Sequence, residues 1–537
     1  MNPSAEELIR RLAKLKIKNY NRLNKIKRQF ANQHKVSMLK NAELLNFYKR
    51  LVAENRLKPN AALEQLLRKR KIRTLSGVAP IAVLTKPYPC PGRCVYCPTE
   101  KLMPKSYLSN EPAVMRAVRT KFDPYKQVDC RLSALADNGH PTDKIELIVM
   151  GGTWSCLPKK YQRWFIKRCF DACNGKTASN LSEAQKRNEK AANRIIGLTL
   201  ETRPDYVDEE EIQRWRALGA TKVELGVQSL DDEILKQNKR GHDVAEIVRA
   251  SKLCKQTGFK IAYHIMPNLP GSTPAKDLRT IKKLFDDPRF QPDMLKIYPT
   301  VVTKNSPLYR QWKAGKYQPY TDKQLFKLLL KIKQQIPPYV RLIRLIRDIP
   351  KESIVAGNTI SNLREELQAT LKKSNQTCRC IRCREAREDV KNLKDARMSI
   401  TKYRASDGEE YFLEFASKDK KNLFAFLRLR LPDKKERNFI PEIQNCAMIR
   451  EVHTYGRLIP LKKTKEKAVQ HVGFGKHLVR TAEKIAAARG FQKIAIISGI
   501  GVRGFYRKLG FKRAGTYMIK KCKTKNVKLK NTDKVQN

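Results

Sequence analysis

Short apolar runs alternate with amphipathic stretches through the middle of this chain. Ile145–Met150 precedes the helical stretch Lys159–Cys173, Ile195–Leu200 precedes Glu209–Leu218, and Val223–Val227 precedes Val244–Thr257. Ile261–Met266 leads into Ala275–Phe285, and Leu295–Thr300 closes the series. Strand-length apolar runs alternating with helical patterns are the signature of parallel βαβ units. With Val78–Leu84 counted upstream, six such repeats predict an α/β fold, a partial (β/α)6 barrel spanning residues 76–350. Polar residues gather where the strands end: Gly151-Gly152-Thr153, Glu201 through Asp205, Gln228-Ser229, and His264 through Gly271. Barrels of this kind carry their ligand-binding loops at those ends.

The flanking segments follow other rhythms. Leu8, Leu12 and Leu15, then Leu63, Leu66 and Leu67, recur at helical spacing among charges, and Arg68-Lys69-Arg70-Lys71 ends the second run. Residues 1–75 are therefore expected to form two or three basic amphipathic helices, with 20 Lys or Arg against 5 acidic residues. Residues 351–402 form a charged connection whose last part, 388–402, is expected to bridge into a final α+β domain over 403–537. There Tyr411–Phe415 and Leu423–Leu431 predict a hairpin, and Cys446–His453 a further strand. A Gly-containing turn, Gln470 to Gly475, opens a helix marked by Leu478, Val479, Ala482, Ile485 and Ala486, which Gly490 stops. The strand Lys493–Ile497 and a helix around Tyr506 follow.

Charge narrows the partners. The chain has 537 residues, with 112 Lys and Arg against 52 Asp and Glu, a net +60. That excess points to a polyanion such as nucleic acid, with the basic N-terminal helices as its electrostatic footprint or, in the plainer reading, as a solvated helical cap. No long apolar run predicts a membrane span, and the N-terminus lacks a secretory pattern. Thirteen cysteines, six of them in two tight clusters, suit a reducing cytoplasm and metal binding better than a disulfide framework.

The first cluster, Cys90-Pro-Gly-Arg-Cys94-Val-Tyr-Cys97, has C-x3-C-x2-C spacing. Three thiolates suit a cubane 4Fe-4S cluster held at three irons, leaving the fourth open to a ligand; a disulfide and a structural zinc loop are the alternatives. The second, Cys378-Arg-Cys380-Ile-Arg-Cys383, reads as three ligands of a zinc ion, with no fourth identifiable and a second iron–sulfur cluster as the alternative. Arg379, Arg382, Arg384 and Arg387 make that element basic enough to touch a phosphate backbone. The Q-x-x-G-x-G turn of Gln470, Gly473 and Gly475 aims backbone N–H groups at one point and suits a pyrophosphate.

The cysteine spacing, with Tyr96 before the third thiol, resembles the radical S-adenosylmethionine (SAM) superfamily. TKPYPCPGRCVYCPTE, NEPAVMRA (110–117), IVMGGTW (148–154), ETRPDY (201–206), ELGVQS (224–229), RGHD (240–243) and KIYPT (296–300) resemble, in order, the catalytic subunit of Elongator and its stand-alone bacterial and archaeal relatives. The three-residue gap between the first two cysteines is shorter than is usual there and follows the general superfamily. From Gly473 to Phe511 the order of elements resembles the GNAT acetyltransferases. The resemblance implies SAM on the open iron, with Gly151 and Gly152 near its amino group. It implies acetyl-CoA against Glu451, Val452, His453, Thr454, Phe474, Gly475, Lys476 and Tyr506, with Tyr506 and Glu451 as catalytic residues and Tyr506 protonating the departing thiolate. Lys144 is associated with acetyl-CoA there too, and the Cys378–Cys383 element lies at the junction of the two domains. The implied activity attaches an acetyl-derived carboxymethyl group to C5 of the wobble uridine of tRNA. Its partners are tRNA, acetyl-CoA, an electron donor and, as an open question, a second copy of the chain. Because a carbon radical cannot cross water, the final domain is expected to pack on the barrel's open face. The rival reading is a protein lysine acetyltransferase that uses the last domain alone.

Overall fold

The structure, a computed structural model, describes residues 3–15, 17, 19–68, 77–360, 362–386, 395–433, 435–455, 473–522 and 535–536. Gln470, Lys69-Arg70-Lys71 and Arg387 lie outside the described residues. A curled parallel sheet runs β1 (Ala79–Leu84), β2 (Lys144–Met150), β3 (Arg194–Thr202), β4 (Lys222–Gln228), β5 (Lys260–Ile265), β6 (Met294–Ile297) and β7 (Arg341–Arg344) in sequential order. All six expected strands are present, and β7 extends the sheet by one. Arg341-Leu-Ile-Arg344 is too short and too charged for its apolar pattern to mark it as a strand. The helices are written locally with clear ends. Asp208 caps 209–218 by accepting from the Glu211 amide, three glutamates follow in the first turn, and Gly219 closes the helix in the left-handed region. Asp243 and Glu246 form a reciprocal capping box on 244–256.

Strand β2 alternates strictly. Ile145, Leu147 and Val149 are buried beneath the helices, while Glu146, Ile148 and Met150 face the hollow of the half-barrel. The second sheet has the order β13-β14-β12-β11-β10-β9-β8-β15. Its strands are β8 (Arg397–Ala405), β9 (Gly408–Ala416), β10 (Leu423–Pro432), β11 (Cys446–Thr454), β12 (Lys493–Ile496), β13 (Lys512–Ala514), β14 (Tyr517–Lys521) and β15 (Val535–Gln536). β8 corrects one expectation: residues 397–402 are not a bridge but the start of this sheet, paired antiparallel with β9. Their charges masked the strand because Lys402 and Arg404 alternate with less polar positions.

Four N-terminal helices, Pro3–Lys14, Tyr20–Gln33, Asn41–Ala53 and Ala61–Leu67, bury their own core around Leu8, Leu12, Phe30, Leu45 and Leu67. Leu15 lies past the end of the first helix and is 39% exposed, so it does not continue the Leu8–Leu12 stripe. This unit docks on the helix Pro124–Asp137, where Asn46 donates to Asp137 at 3.1 Å.

The two sheets share one continuous apolar core. They meet at the N-terminal ends of the barrel strands, not at the open C-terminal face that the sequence led us to expect. Residues Ile500–Val502 press against the start of β3 so closely that a Cβ on Gly499 would collide with the Ile196 carbonyl. Asp293, one residue before β6, accepts from Arg450 of β11 at 2.8 Å, and Tyr517 donates to Thr257 at 2.9 Å. Buried charges knit this joint. Lys255, Arg428, Arg430 and Arg450 meet Asp293, Glu410, Glu436 and Glu451 in a balanced cluster.

Candidate active site

The cysteine loop leaves β1 at its C-terminal end and is held by backbone. The Val95 amide donates to Asn238 (3.2 Å), its carbonyl accepts from Leu308 (2.8 Å), and Thr99 donates to Asn305 (2.8 Å). Cys90, Cys94 and Cys97 all line one end of a single cavity of about 1390 Å³. Cys90 Sγ lies 3.8 Å from Thr153 Oγ1 at the tip of β2. Gly152 lines the same end; Gly151 beside it has φ +132°, and a Cβ there would strike Thr85. Burial pushes the Cys97 thiol up to about 11. Cys94 ends below its ordinary value, because Arg240 outweighs the burial. Three thiols lining one end of the cavity beside a fixed cation form a donor set of the type that suits an iron–sulfur cluster.

From that end a file of titratable side chains descends the cavity wall. Tyr107 donates to Glu201 at 3.0 Å, and His264 stands between Glu201 (3.7 Å) and Glu224 (3.1 Å). Glu224 pairs with Lys296 and lies 3.9 Å from Lys222, which in turn binds Glu146. Burial opposes the charge on Glu146, but Lys222 wins and holds it at about 2. At the far end Lys260 stands 3.8 Å from Glu451, whose other oxygen accepts from Arg428 at 2.9 Å. Glu451, Val452, His453 and Tyr506 line this end of the same cavity. Burial and then the Glu451 carboxylate raise the Tyr506 phenol above its ordinary value.

The remaining candidates lie around this second end. Gly473, in the left-handed region, caps the helix Phe474–Ala488 and has open space where a Cβ would stand. A Cβ on Gly475 would meet Thr454 at 3.6 Å, so helix start and strand β11 converge there. Phe474 is buried, its ring stacked on Phe415 at 4.4 Å, and Lys476 is exposed. Thr454, Phe474 and Lys476 do not line the cavity. Lys144 shares the face of Glu146, Ile148 and Met150 but lies one step beyond the lining, and burial lowers its pKa.

At the domain junction the sulfurs of Cys378, Cys380 and Cys383 lie within 4.8 Å of one another, with Lys333 Nζ 3.6 Å from Cys383. The element stitches the two sheets together. Ile381 donates to Val340 (3.0 Å), Ala386 donates to Leu423 (2.9 Å), and Arg384 binds Glu414 (2.7 Å). Arg384 is thus a buried tie and not a surface for phosphate; Arg382 binds Glu385 at 2.6 Å, and Arg379 is exposed.

His264 is among the polar residues expected at the strand ends, but Glu146, Lys222, Arg240, Lys260 and Lys296 are not singled out as site residues by the sequence. The available signal was a charge inside a strand otherwise buried on both faces, as in Lys222-Val-Glu224. Among the described residues no helix is long and apolar enough to cross a membrane.

Comparison with known proteins agrees with this layout. Residues 88–284 match the radical SAM superfamily, residues 292–373 the radical SAM C-terminal domain, and residues 381–511 the acetyltransferase (GNAT) family. The tRNA uridine(34) acetyltransferase of Methanocaldococcus jannaschii is 45% identical over 472 residues, covering 85% of this chain and 86% of its own length. The Elongator complex protein 3 of Homo sapiens is 38% identical over 474 residues, covering 85% and 86%. The solved structure of Methanocaldococcus infernus Elp3 with an N-terminal deletion superposes with a TM-score of 0.73 at 42% identity, over 83% of this chain and 99% of that one. A half-barrel carrying three cysteines, fused through a shared core and a shared cavity to a GNAT sheet, places this chain in the family of Elongator complex protein 3 and the tRNA uridine(34) acetyltransferases.

Proposed function

We propose that the protein modifies the wobble uridine of tRNA, joining an acetyl-derived carboxymethyl group from acetyl-CoA to C5 of the base. The observation that carries this reading is the single cavity, lined at one end by Cys90, Cys94 and Cys97 and at the other by Glu451, His453 and Tyr506. Cys90, Cys94 and Cys97 would hold the cluster, which, given an electron from an external one-electron donor, would supply the reducing electron for SAM cleavage and so for hydrogen abstraction from the acetyl methyl group. The chain's own residues do the rest. Gly473 and Gly475 leave the first turn of helix 474–488 open to the pyrophosphate, and Glu451 through Thr454 present strand backbone to the thioester. The new bond at C5 replaces its hydrogen, lost as a proton with one electron, and water displaces the thiolate from the acyl carbon. Tyr506 holds its proton for that thiolate, which burial favours by keeping the phenol neutral.

The two ends lie at opposite ends of the barrel strands, and the seven residues of β2 span about 20 Å at roughly 3.3 Å per residue. An acyl arm anchored at the GNAT end therefore has to extend along the polar wall to bring its methyl group near the cysteine loop. A protein lysine acetyltransferase needs none of this length and leaves the cysteine end idle. The Cys378–Cys383 element has the ligand type and closeness for zinc, with Lys333 beside it, and would brace the domain joint.

The deciding experiment incubates the protein with tRNA, SAM, a reductant and acetyl-CoA labelled in its methyl carbon, then analyses the nucleosides by mass spectrometry. Label on the wobble uridine is expected; label on protein lysines with none on tRNA would sink the reading. Tyr506→Phe is expected to slow acetyl-CoA turnover by about 10²-fold, the scale of one general acid, with SAM cleavage in the absence of tRNA unchanged. Equal losses in both would move Tyr506 out of that role.

The basic N-terminal unit is proposed to grip the phosphate backbone. Each neutralised phosphate contributes about −0.7 to −0.9 to the slope of log affinity against log salt. Deleting residues 1–75 is expected to flatten that slope by several units and to leave acetyl-CoA binding intact. Not every cation there is free: Lys27 is buried against Asn41 at 2.6 Å. An unchanged slope would make the unit a structural cap.

A further inference from the structure

Arg240 is a buried cation without a carboxylate. Its guanidinium makes three bonds: Nε (3.2 Å) and Nη2 (2.6 Å) donate to the Gly226 carbonyl, and Nη1 donates to Cys94 Sγ at 3.4 Å. Around it stand Cys94, Tyr96 and Cys97, with Arg203 a second cation nearby, and no carboxylate pairs with it among the described residues. Its neighbours differ. Arg203 is clamped by Asp205 at 2.7 Å and Arg347 by Glu111 at 3.0 Å.

A guanidinium does not give up its proton, so burying one is costly unless an anion compensates. The group within reach that would become an anion on binding iron is the Cys94 sulfur. The fold has also cleared space for the contact. A Cβ on Gly226 would stand 2.5 Å from Arg240 Nη2, and the register between β4 and β5 shifts between Leu225 and Gln228. β4 is thus irregular where its carbonyl turns to the arginine.

We propose that Arg240 is the built-in counter-charge of the iron–sulfur site, bonded to the Cys94 sulfur and raising the reduction potential of the bound cluster. An added electron puts one more negative charge on the cluster, and a fixed cation in a buried, weakly screened place favours that state. Hydrogen bonds to ligand sulfurs act in the same direction. Arg240 is therefore a positioning residue that sets how strong an electron donor the protein needs. The inference rests on the cluster assignment to Cys90, Cys94 and Cys97.

The test uses the full chain, reconstituted with iron and sulfide without oxygen, and follows the reduced cluster by electron paramagnetic resonance against applied potential. Arg240→Gln removes the charge and keeps an N–H donor. At a fixed poise its ratio of reduced to oxidised cluster is expected to fall at least tenfold, a 59 mV lower midpoint for one electron. A midpoint equal to that of the unchanged protein at equal iron content would overturn the proposal. Should the glutamine variant not retain iron, Gly226→Ala keeps the arginine and, with a Cβ 2.5 Å from Nη2, displaces its guanidinium from this position. A lowered midpoint there supports the proposal and an unmoved one overturns it. Loss of iron from both variants with unfolding unchanged would also overturn it, making Arg240 a builder of the site and not a tuner. Failure of the unchanged protein to bind a cluster would instead sink the cluster assignment itself.

Discussion

Asp293→Ala is expected to destabilise the protein by about 3–5 kcal/mol, the scale for removing one partner of a buried ion pair. Asp293 is fully buried one residue before β6, where it accepts from both Nη atoms of Arg450 and from the Ile261 amide at 2.9 Å. Lys255 lies 3.7 Å away and Arg428 3.5 Å. Removing the carboxylate leaves Lys255, Arg428, Arg430 and Arg450 facing three anions around a fully buried gap. Because Arg428 also holds Glu451, the damage should pass to β11, the strand proposed to face acetyl-CoA. Denaturant unfolding measures the first effect and acetyl-CoA affinity the second. A loss under 1 kcal/mol would mean the joint relaxes around the gap. The same groups set an acid limit. Burial works against the charge on Asp293, but Arg450 holds it below the usual carboxylate range, and Lys222 holds Glu146 at about 2. Such depressed values give stability that is present above the unfolded carboxylate values near 4 and lost as pH falls toward 2. Unfolding free energy should therefore decline through that window, and Asp293→Ala should flatten the decline.

Cys94→Ser is expected to abolish cluster binding and SAM cleavage while leaving acetyl-CoA affinity unchanged. The substitution nearly conserves volume, and Cys94 packs in a small local cluster with Val95, Ile234 and Leu308, separate from the core shared by the two sheets. What it removes is the sulfur facing Arg240, and a serine oxygen is a poor ligand for iron in a thiolate site. Iron content, SAM cleavage and acetyl-CoA binding separate the outcomes. Equal loss of both functions in a folded protein would show that the two ends of the cavity are not independent binding sites.

The elements that the sequence announced are those with strong local grammar. Helix 209–218 has its cap, its acidic first turn and its closing glycine within twelve residues, and β2 alternates without a break. β7 and β8 escaped because each is short or charged. Arg341 and Arg344 turn toward partners in other elements: Arg341 bonds Tyr455 at 2.7 Å, and Arg344 lines the cavity. Such charges read as loop until those partners are known.

By itself the sequence determined the spacing of both cysteine triads, the order of βα units and the Gly-containing start of helix 474–488, because each is a relation among neighbours in the chain. Only the tertiary structure decided that the GNAT sheet meets the barrel at the N-terminal ends of its strands. It also decided that one cavity runs the length of the half-barrel and that Glu146, Lys222, Glu224, Lys260 and Lys296 pave it. Those five lie on four strands, and what brings them together is sheet register, with Lys222 opposite Lys260 across β4 and β5. The joint depends likewise on charges such as Asp293 and Arg450, 157 residues apart. Pairings at that distance are set by how the packed layers close, and no local pattern of residues records them.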